Sequence, residues 1–190
     1  MHQDNWAIRA RKLGYRSRAA FKLEEILSKI NYKKAPKLVL DLGASPGGWS
    51  QLIKNKYKTS KIFAVDILEM DPIDEVEFFL SSIEDISSID KIEEYKGSYD
   101  LVISDIAPNL TGIGSVDAEN IFYLNKICLD VAKQYLCKNN GSFLIKTFQN
   151  NMLKNFRKDV ELFFKIVQTY KPAASKKKSG EIYLYGANKE

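Results

Sequence analysis

An α/β fold, a mostly parallel seven-stranded sheet flanked by helices, is predicted by two features of this sequence of 190 residues. Strand and helix patterns alternate without a linker, and the first strand runs through a glycine-rich turn straight into a helix. The length suits one domain over 1–190, with 1–33 as a basic helical extension within it.

Each element follows from its pattern. Residues 16–33 carry Ala19, Leu23, Ile26, Leu27 and Ile30 at helical spacing, which predicts an amphipathic helix. The apolar run 37–41 is the first strand and ends at Gly43. A helix follows over 46–57, with Ser45 as N-cap and Pro46 in its first turn. Further strands are expected at 62–66, 77–80, 99–105 and 142–146, and helices at 84–95, 117–138 and 152–163. Strands at 163–170 and 181–186 close the chain.

Composition removes several classes of function. Hydrophobic residues make up 45% and charged residues 28%, too apolar a balance for a disordered chain. No stretch approaches the roughly 20 apolar residues of a membrane span, and 1–22 lacks the apolar run of a signal peptide. The chain is therefore expected neither to span a membrane nor to be secreted by that route. Cys128 and Cys137 cannot form a disulfide framework, and with His2 as the only histidine no zinc set can be assembled. Both cysteines are expected in the core, reduced.

Charge is unevenly placed. Arg9, Arg11, Lys12, Arg16, Arg18 and Lys22 lie in one acid-free segment, and Lys171, Lys176, Lys177 and Lys178 in another. Taking those ten from the 29 Lys+Arg leaves 19 against 24 Asp+Glu, so the basicity is concentrated at two places. Concentrated basic segments suggest a polyanion partner, the alternative being a solvated face plus a flexible basic loop. An Arg-rich, acid-poor start also suits an organellar presequence.

Open sheets of this kind bind ligands outside the carboxyl ends of their strands. The first strand ends in Asp41-Leu-Gly-Ala-Ser-Pro-Gly-Gly-Trp-Ser50, where Gly43, Gly47 and Gly48 would let the backbone approach a ligand. The second ends in Asp66, placed to take ribose hydroxyls, and the pair suggests an adenosine-containing ligand. Spacing departs from both the dinucleotide and the P-loop patterns. Asp105 and Lys146 end two further strands, Lys22 flanks the first helix, and Glu181 opens the last strand. If they converge, apposed lysines lower one another's affinity for protons while the acids hold geometry.

These residues resemble the FtsJ/RrmJ family of S-adenosylmethionine-dependent RNA ribose 2′-O-methyltransferases. The likeness runs through Gly14-Tyr-Arg-Ser-Arg-Ala-Ala-Phe-Lys-Leu-Glu-Glu-Ile26, the 41–51 loop, Ser104-Asp-Ile-Ala-Pro-Asn109, Lys146-Thr-Phe-Gln149, Lys171-Pro and Ser179-Gly-Glu181. The resemblance implies a Rossmann-like methyltransferase fold and S-adenosyl-L-methionine as cofactor. The family's Lys-Asp-Lys-Glu tetrad falls on Lys22, Asp105, Lys146 and Glu181, and its cofactor contacts on Gly47, Trp49, Asp66 and Asp105, with Gly43 and Gly48 in the same loop. Where the family places an adenine-contacting aspartate this chain has Ser82, with Asp85 nearby. Since Lys22 lies in the basic segment, that segment belongs to the enzyme and not to a presequence.

Lys146 is then expected to accept or position the proton of the acceptor hydroxyl, Asp105 to orient Lys146, Lys22 to depress the lysine's proton affinity, and Glu181 to anchor the cluster. Arg9, Arg11, Lys12, Arg16, Arg18, Lys176, Lys177 and Lys178 would hold RNA phosphates. The compact chain is most similar to the large-subunit ribosomal RNA enzymes, which implies the 2′-hydroxyl of a uridine there, an intracellular monomer, and the cytoplasm or an organelle as its compartment. Transfer RNA methylation, or an idle RNA-binding assembly factor, are the alternatives. Cytosine C5 chemistry is disfavoured because neither cysteine sits at a strand end, and amine methylation because Asp105-Ile-Ala-Pro-Asn109 lacks the usual aromatic residue.

Overall fold

The computed structural model describes residues 5–30, 32, 35–175 and 179–189. Seven strands form one sheet: β1 (Leu38–Leu42), β2 (Lys61–Asp66), β3 (Val76–Leu80), β4 (Leu101–Ser104), β5 (Ser142–Phe148), β6 (Phe164–Tyr170) and β7 (Glu181–Lys189). Their order is β3-β2-β1-β4-β5-β7-β6. The first five pair in parallel, and β7 lies antiparallel between β5 and β6. Among the described residues, six α-helices accompany them: α1 (Asn5–Lys12), α2 (Ala19–Lys29), α3 (Gly48–Lys56), α4 (Asp90–Glu93), α5 (Gly114–Tyr135) and α6 (Leu153–Glu161).

The parallel part of the sheet, β1 to β5, is covered by helices on both faces. Every residue of β1 is buried, so the strand reads as a continuous apolar run broken only by Asp41. Alternate residues serve opposite layers: Val39, Ile103 and Leu144 pack with α2 and α3, whereas Leu40, Val102 and Phe143 pack with α5 and α6. Leu23, Ile26 and Leu27 of α2 are buried in the first layer. At about 1.5–3 kcal/mol for each such side chain, α2 is part of the core and not an appendage.

Several boundaries differ from expectation for physical reasons. The helix expected at 16–33 begins at Ala19, because the chain turns at Gly14, whose φ of 73° is left-handed, and α1 lies before that turn. α1 is held by a small cluster in which Ala10 packs with Phe21 and Ala174. The helix expected over 84–95 is a 3-10 turn, Ile83–Ser88, followed by the single turn α4. Ser45 is not an N-cap. Helix α3 starts at Gly48, capped by Gly47 in a left-handed conformation with φ 98°, and the Ser45–Pro46 peptide is cis. Asp66 Oδ2 accepts the Ser45 N–H at 2.8 Å, which pulls Ser45 toward β2 and out of line with α3. Cys128 is buried as expected, but Cys137, beyond the end of α5, is only half-buried.

Candidate active site

Strand order reverses between β1 and β4, and their carboxyl ends diverge into a cleft of about 220 Å³. Ser17, Lys22, Asp41, Gly43, Trp49 and Asp105 line it. Lys146 and Glu181 join this group from β5 and β7 through ion pairs. Lys22 Nζ lies 2.7 Å from Glu181 Oε1, and Lys146 Nζ lies 3.3 Å from Asp105 Oδ1 while also donating to the Asp105 carbonyl. Lys22 and Lys146 are only 4% and 8% exposed, so each depends on its carboxylate for the solvation it has lost.

One side chain connects the two pairs. The Tyr183 hydroxyl lies 2.8 Å from Asp105 Oδ1 and 3.3 Å from Glu181 Oε1, and its single proton goes to the nearer. Burial, with Asp105 and Glu181 beside it, raises the phenol well above its usual range, so it acts as a donor only. Ser175 donates to the same Glu181 oxygen at 2.8 Å. Burial opposes ionisation of Glu181, but the Lys22 ammonium outweighs it and keeps the carboxyl below its ordinary value. The expected apposition of two lysines is thus resolved into two lysine–carboxylate pairs.

On the opposite bank the groups are mostly backbone. Both Asp66 oxygens accept N–H groups, from Ser45 and from Leu68, each at 2.8 Å. Trp49 is buried, donates Nε1 to the Ala19 carbonyl at 2.8 Å and packs its ring 5.7 Å from that of Tyr183. It lines the cleft beside Lys22 and Asp105. The glycines meet protein neighbours: a Cβ on Gly43 would lie 2.7 Å from Ile106 Cβ, and one on Gly48 2.3 Å from Ser17 Oγ. Ser82 caps the 3-10 turn, its hydroxyl accepting the Glu84 N–H at 3.2 Å, and Asp85 is exposed. Neither lines the cleft, nor do Gly47 and Asp66.

The basic residues divide. Arg11 and Lys12 are exposed on α1. Arg9 stacks its guanidinium over Trp6 and Phe21, 5.5 and 5.1 Å from the ring centroids. Arg18 lines the cleft. Arg16 turns inward to backbone carbonyls. Lys176, Lys177 and Lys178 lie outside the described residues, although Ala173 N donates to Glu25 on α2 and brings the preceding segment against the same side of the molecule.

Three residues escaped the sequence reading. Tyr183 could have been found, since it lies two positions after Glu181 on a strand and so shares its face. Ser17 Oγ is buried, lines the cleft and has no hydrogen-bond partner among the described residues. Asp41, at the floor, accepts from Ser50 Oγ at 2.7 Å, and burial pushes its pKa up to about 7. An orphaned hydroxyl and a buried carboxyl in one cleft suit a ligand end that carries both an acceptor and an ammonium, as the methionine part of S-adenosylmethionine does.

A mostly parallel sheet with one antiparallel strand inserted near its edge, a cleft at the switch point and a lysine–carboxylate cluster on its bank define a group-transfer enzyme of the methyltransferase architecture. The chain belongs to the FtsJ-like methyltransferase family, whose model matches residues 15–189, and it is an S-adenosylmethionine-dependent methyltransferase. It is 39% identical to the ribosomal RNA large subunit methyltransferase E of Wigglesworthia glossinidia brevipalpis, over 98% of this chain and 92% of that one. Identity to the protein of the same name from Azoarcus sp. is 38%, over 99% and 94%. A crystal structure of a Plasmodium falciparum protein described as a ribosomal RNA methyltransferase superposes with a TM-score of 0.81 at 32% identity, covering 92% of this chain and 98% of that one. Human methyltransferase-like protein 13, in complex with SAH, shares the fold alone, with a TM-score of 0.60 at 16% identity over 89% and 77%.

Proposed function

We propose that this protein transfers the methyl group of S-adenosylmethionine to a ribose 2′-hydroxyl of large-subunit ribosomal RNA, with a uridine as the methylated nucleotide. The observation that carries the reading is the pairing of Lys146 with Asp105 beside the cleft, together with near-full-length likeness to large subunit methyltransferases. When bound, the cofactor supplies an electrophilic methyl carbon on its sulfonium sulfur.

The protein has two tasks, to align the acceptor oxygen and to manage its proton. Lys146 makes two contacts to Asp105, one to the carboxylate and one to the carbonyl. Once Nζ has given up a proton, the amine keeps both contacts with its two remaining N–H groups and turns its lone pair to the acceptor hydroxyl. Lys146 Nζ would accept the hydroxyl proton as the acceptor oxygen takes the methyl group, the cofactor being released as its thioether. Asp105 and Glu181 balance the charges of Lys146 and Lys22. Gly43, Gly47, Gly48, Trp49 and Asp66 would form the bank that holds the cofactor, with Ser17 and Asp41 toward its methionine end and Ser82 toward its adenine. Arg9, Arg11, Lys12, Arg18 and the lysines 176–178 hold RNA phosphates. The compartment is wherever large subunits are assembled, and the protein acts as a monomeric single domain.

The test is methyl transfer from labelled cofactor to large subunits and to free transcript, followed by mapping. Label on one ribose is expected. RNA carrying a single 2′-deoxy nucleotide at the mapped position should accept none; continued methylation would exclude ribose as the acceptor. Label confined to transfer RNA would move the enzyme to that substrate, and no label on any RNA would favour an idle assembly factor.

A further inference from the structure

Arg16 sits in the basic segment, yet its guanidinium does not face outward. Nη1 donates to the carbonyls of Pro46, at 3.3 Å, and Asp71, at 2.5 Å, and Nη2 donates to that of Pro72 at 2.6 Å. These carbonyls belong to two loops, the glycine-rich turn after β1 and the 67–75 loop after β2. The loops touch directly as well. Ser45 Oγ donates to the Glu69 carbonyl at 3.1 Å, and a Cβ on Gly47 would come within 2.8 Å of both Met70 Sδ and Ile73 Cδ1. From the other side Gln51 of α3 grips the segment that carries Arg16, accepting the Arg16 N–H at 3.0 Å and donating to the Gly14 carbonyl at 2.8 Å.

We propose that Arg16 is a positioning residue that fixes the spacing of the two cofactor-side loops, and not an RNA phosphate anchor. This rests on the S-adenosylmethionine reading of the cleft. A planar fork reaches three carbonyls on two loops at once, which the single nitrogen of lysine cannot do. With three of its five N–H groups committed, both on Nη1 and one on Nη2, the guanidinium is held against the loops and keeps only Nε–H and one Nη2–H for any phosphate outside. The Gln51 grip then ties the α1–α2 connection to the wall that Arg16 spans, so loosening either contact should loosen the cofactor.

The variants Arg16→Lys, Arg16→Ala and Gln51→Ala test this, with Lys12→Ala as the exposed basic control. Titration calorimetry with S-adenosylhomocysteine is expected to show about tenfold weaker binding for Arg16→Lys, despite the retained charge, and a shift in the same direction for Gln51→Ala. In turnover, KM for S-adenosylmethionine should rise more than kcat falls. The salt dependence of RNA binding should be unchanged in Arg16→Lys and flattened by about 0.7 in Lys12→Ala. Wild-type affinity for S-adenosylhomocysteine in Arg16→Lys would overturn the proposal, as would a flattened salt slope in Arg16→Ala with unchanged cofactor affinity. Circular dichroism separates loss of fold, and Gln51→Ala, which leaves the guanidinium in place, decides the matter if neither Arg16 variant folds. Failure of the wild type to bind S-adenosylhomocysteine would instead strike the functional reading itself.

Discussion

The two banks of the cleft are built from different materials. On the acceptor bank, Lys22, Asp105, Lys146, Glu181 and Tyr183 are side chains from α2, the end of β4, β5 and β7, neutralising one another in two pairs. On the cofactor bank the contacts are loop backbone, fixed in place by the Asp66 carboxylate, the Arg16 guanidinium and the Gln51 amide. A bank of side chains carries reactive groups whose loss removes a chemical step. A bank of backbone carries shape, whose loosening weakens binding by degrees. Substitutions on the two banks should therefore separate into effects on kcat and effects on cofactor affinity.

The largest effect falls on the acceptor bank. Lys146→Ala should lower methyl transfer about a thousandfold, within the usual range for loss of a positioned proton acceptor, while S-adenosylhomocysteine affinity stays within a few fold. Single-turnover kinetics beside calorimetry reads both. Comparable activity in the variant would remove Lys146 from the chemistry and merge the two banks into one binding surface.

Asp41 lies between the banks and tests the electrostatics of the floor. Its folded pKa of about 7 exceeds the unfolded value near 3.8, so between those values the native state holds a proton that the unfolded chain does not. Stability from this group is therefore full below about pH 4 and is lost as pH rises through about 7. At ~1.4 kcal/mol per pKa unit the loss reaches at most ~4 kcal/mol. Asp41→Asn keeps an acceptor for Ser50 and should flatten the dependence of urea-unfolding free energy on pH between about 4 and 7. A curve parallel to wild type would show that the carboxylate is well solvated when charged.

The cofactor bank should respond more gently. Asp66→Ala frees the Ser45 and Leu68 N–H groups and, on the proposed function, takes away an acceptor for the ribose hydroxyls. Weakening of S-adenosylmethionine binding by roughly ten- to a hundredfold is expected, with kcat at saturating cofactor reduced less than KM is raised. A variant that lost kcat alone would blur the distinction between the banks.

What could be read in advance follows the same division. The sheet was legible because short apolar runs bounded by turn residues mark buried strands, and the lysines and acids because each stands at the end of an apolar run or in a recognisable motif. The cofactor bank was harder to read, since its partners are backbone groups that no letter encodes. Ser45-Pro46 has the look of a helix start, yet the Ser45 N–H is taken by Asp66, 21 positions away. Arg16 reads as one more cation in a basic run, and only the folded carbonyls of Asp71 and Pro72 show where it points. Gly47 and Gly48 suggest room for a ligand but make room for Met70, Ile73 and Ser17.

The smallest effect examines the bridge within the acceptor bank. Tyr183→Phe deletes the hydroxyl that spans Asp105 and Glu181 but leaves each carboxylate with its own lysine, so no buried charge is left unpaired. The ring, packed against Trp49 and under the Lys22 ammonium at 5.9 Å, keeps its place. The cost is one hydrogen bond to a charged group, about 1.5–3 kcal/mol at most and less if Lys146 and Lys22 tighten onto their partners. A three- to tenfold fall in kcat, roughly 1 kcal/mol, with unchanged cofactor affinity and a thermal midpoint within a few degrees of wild type, is the expected outcome. A loss as large as that of Lys146→Ala would mean that the two ion pairs work as one unit coupled through the phenol, and a double-mutant cycle of Tyr183→Phe with Glu181→Gln would measure that coupling directly.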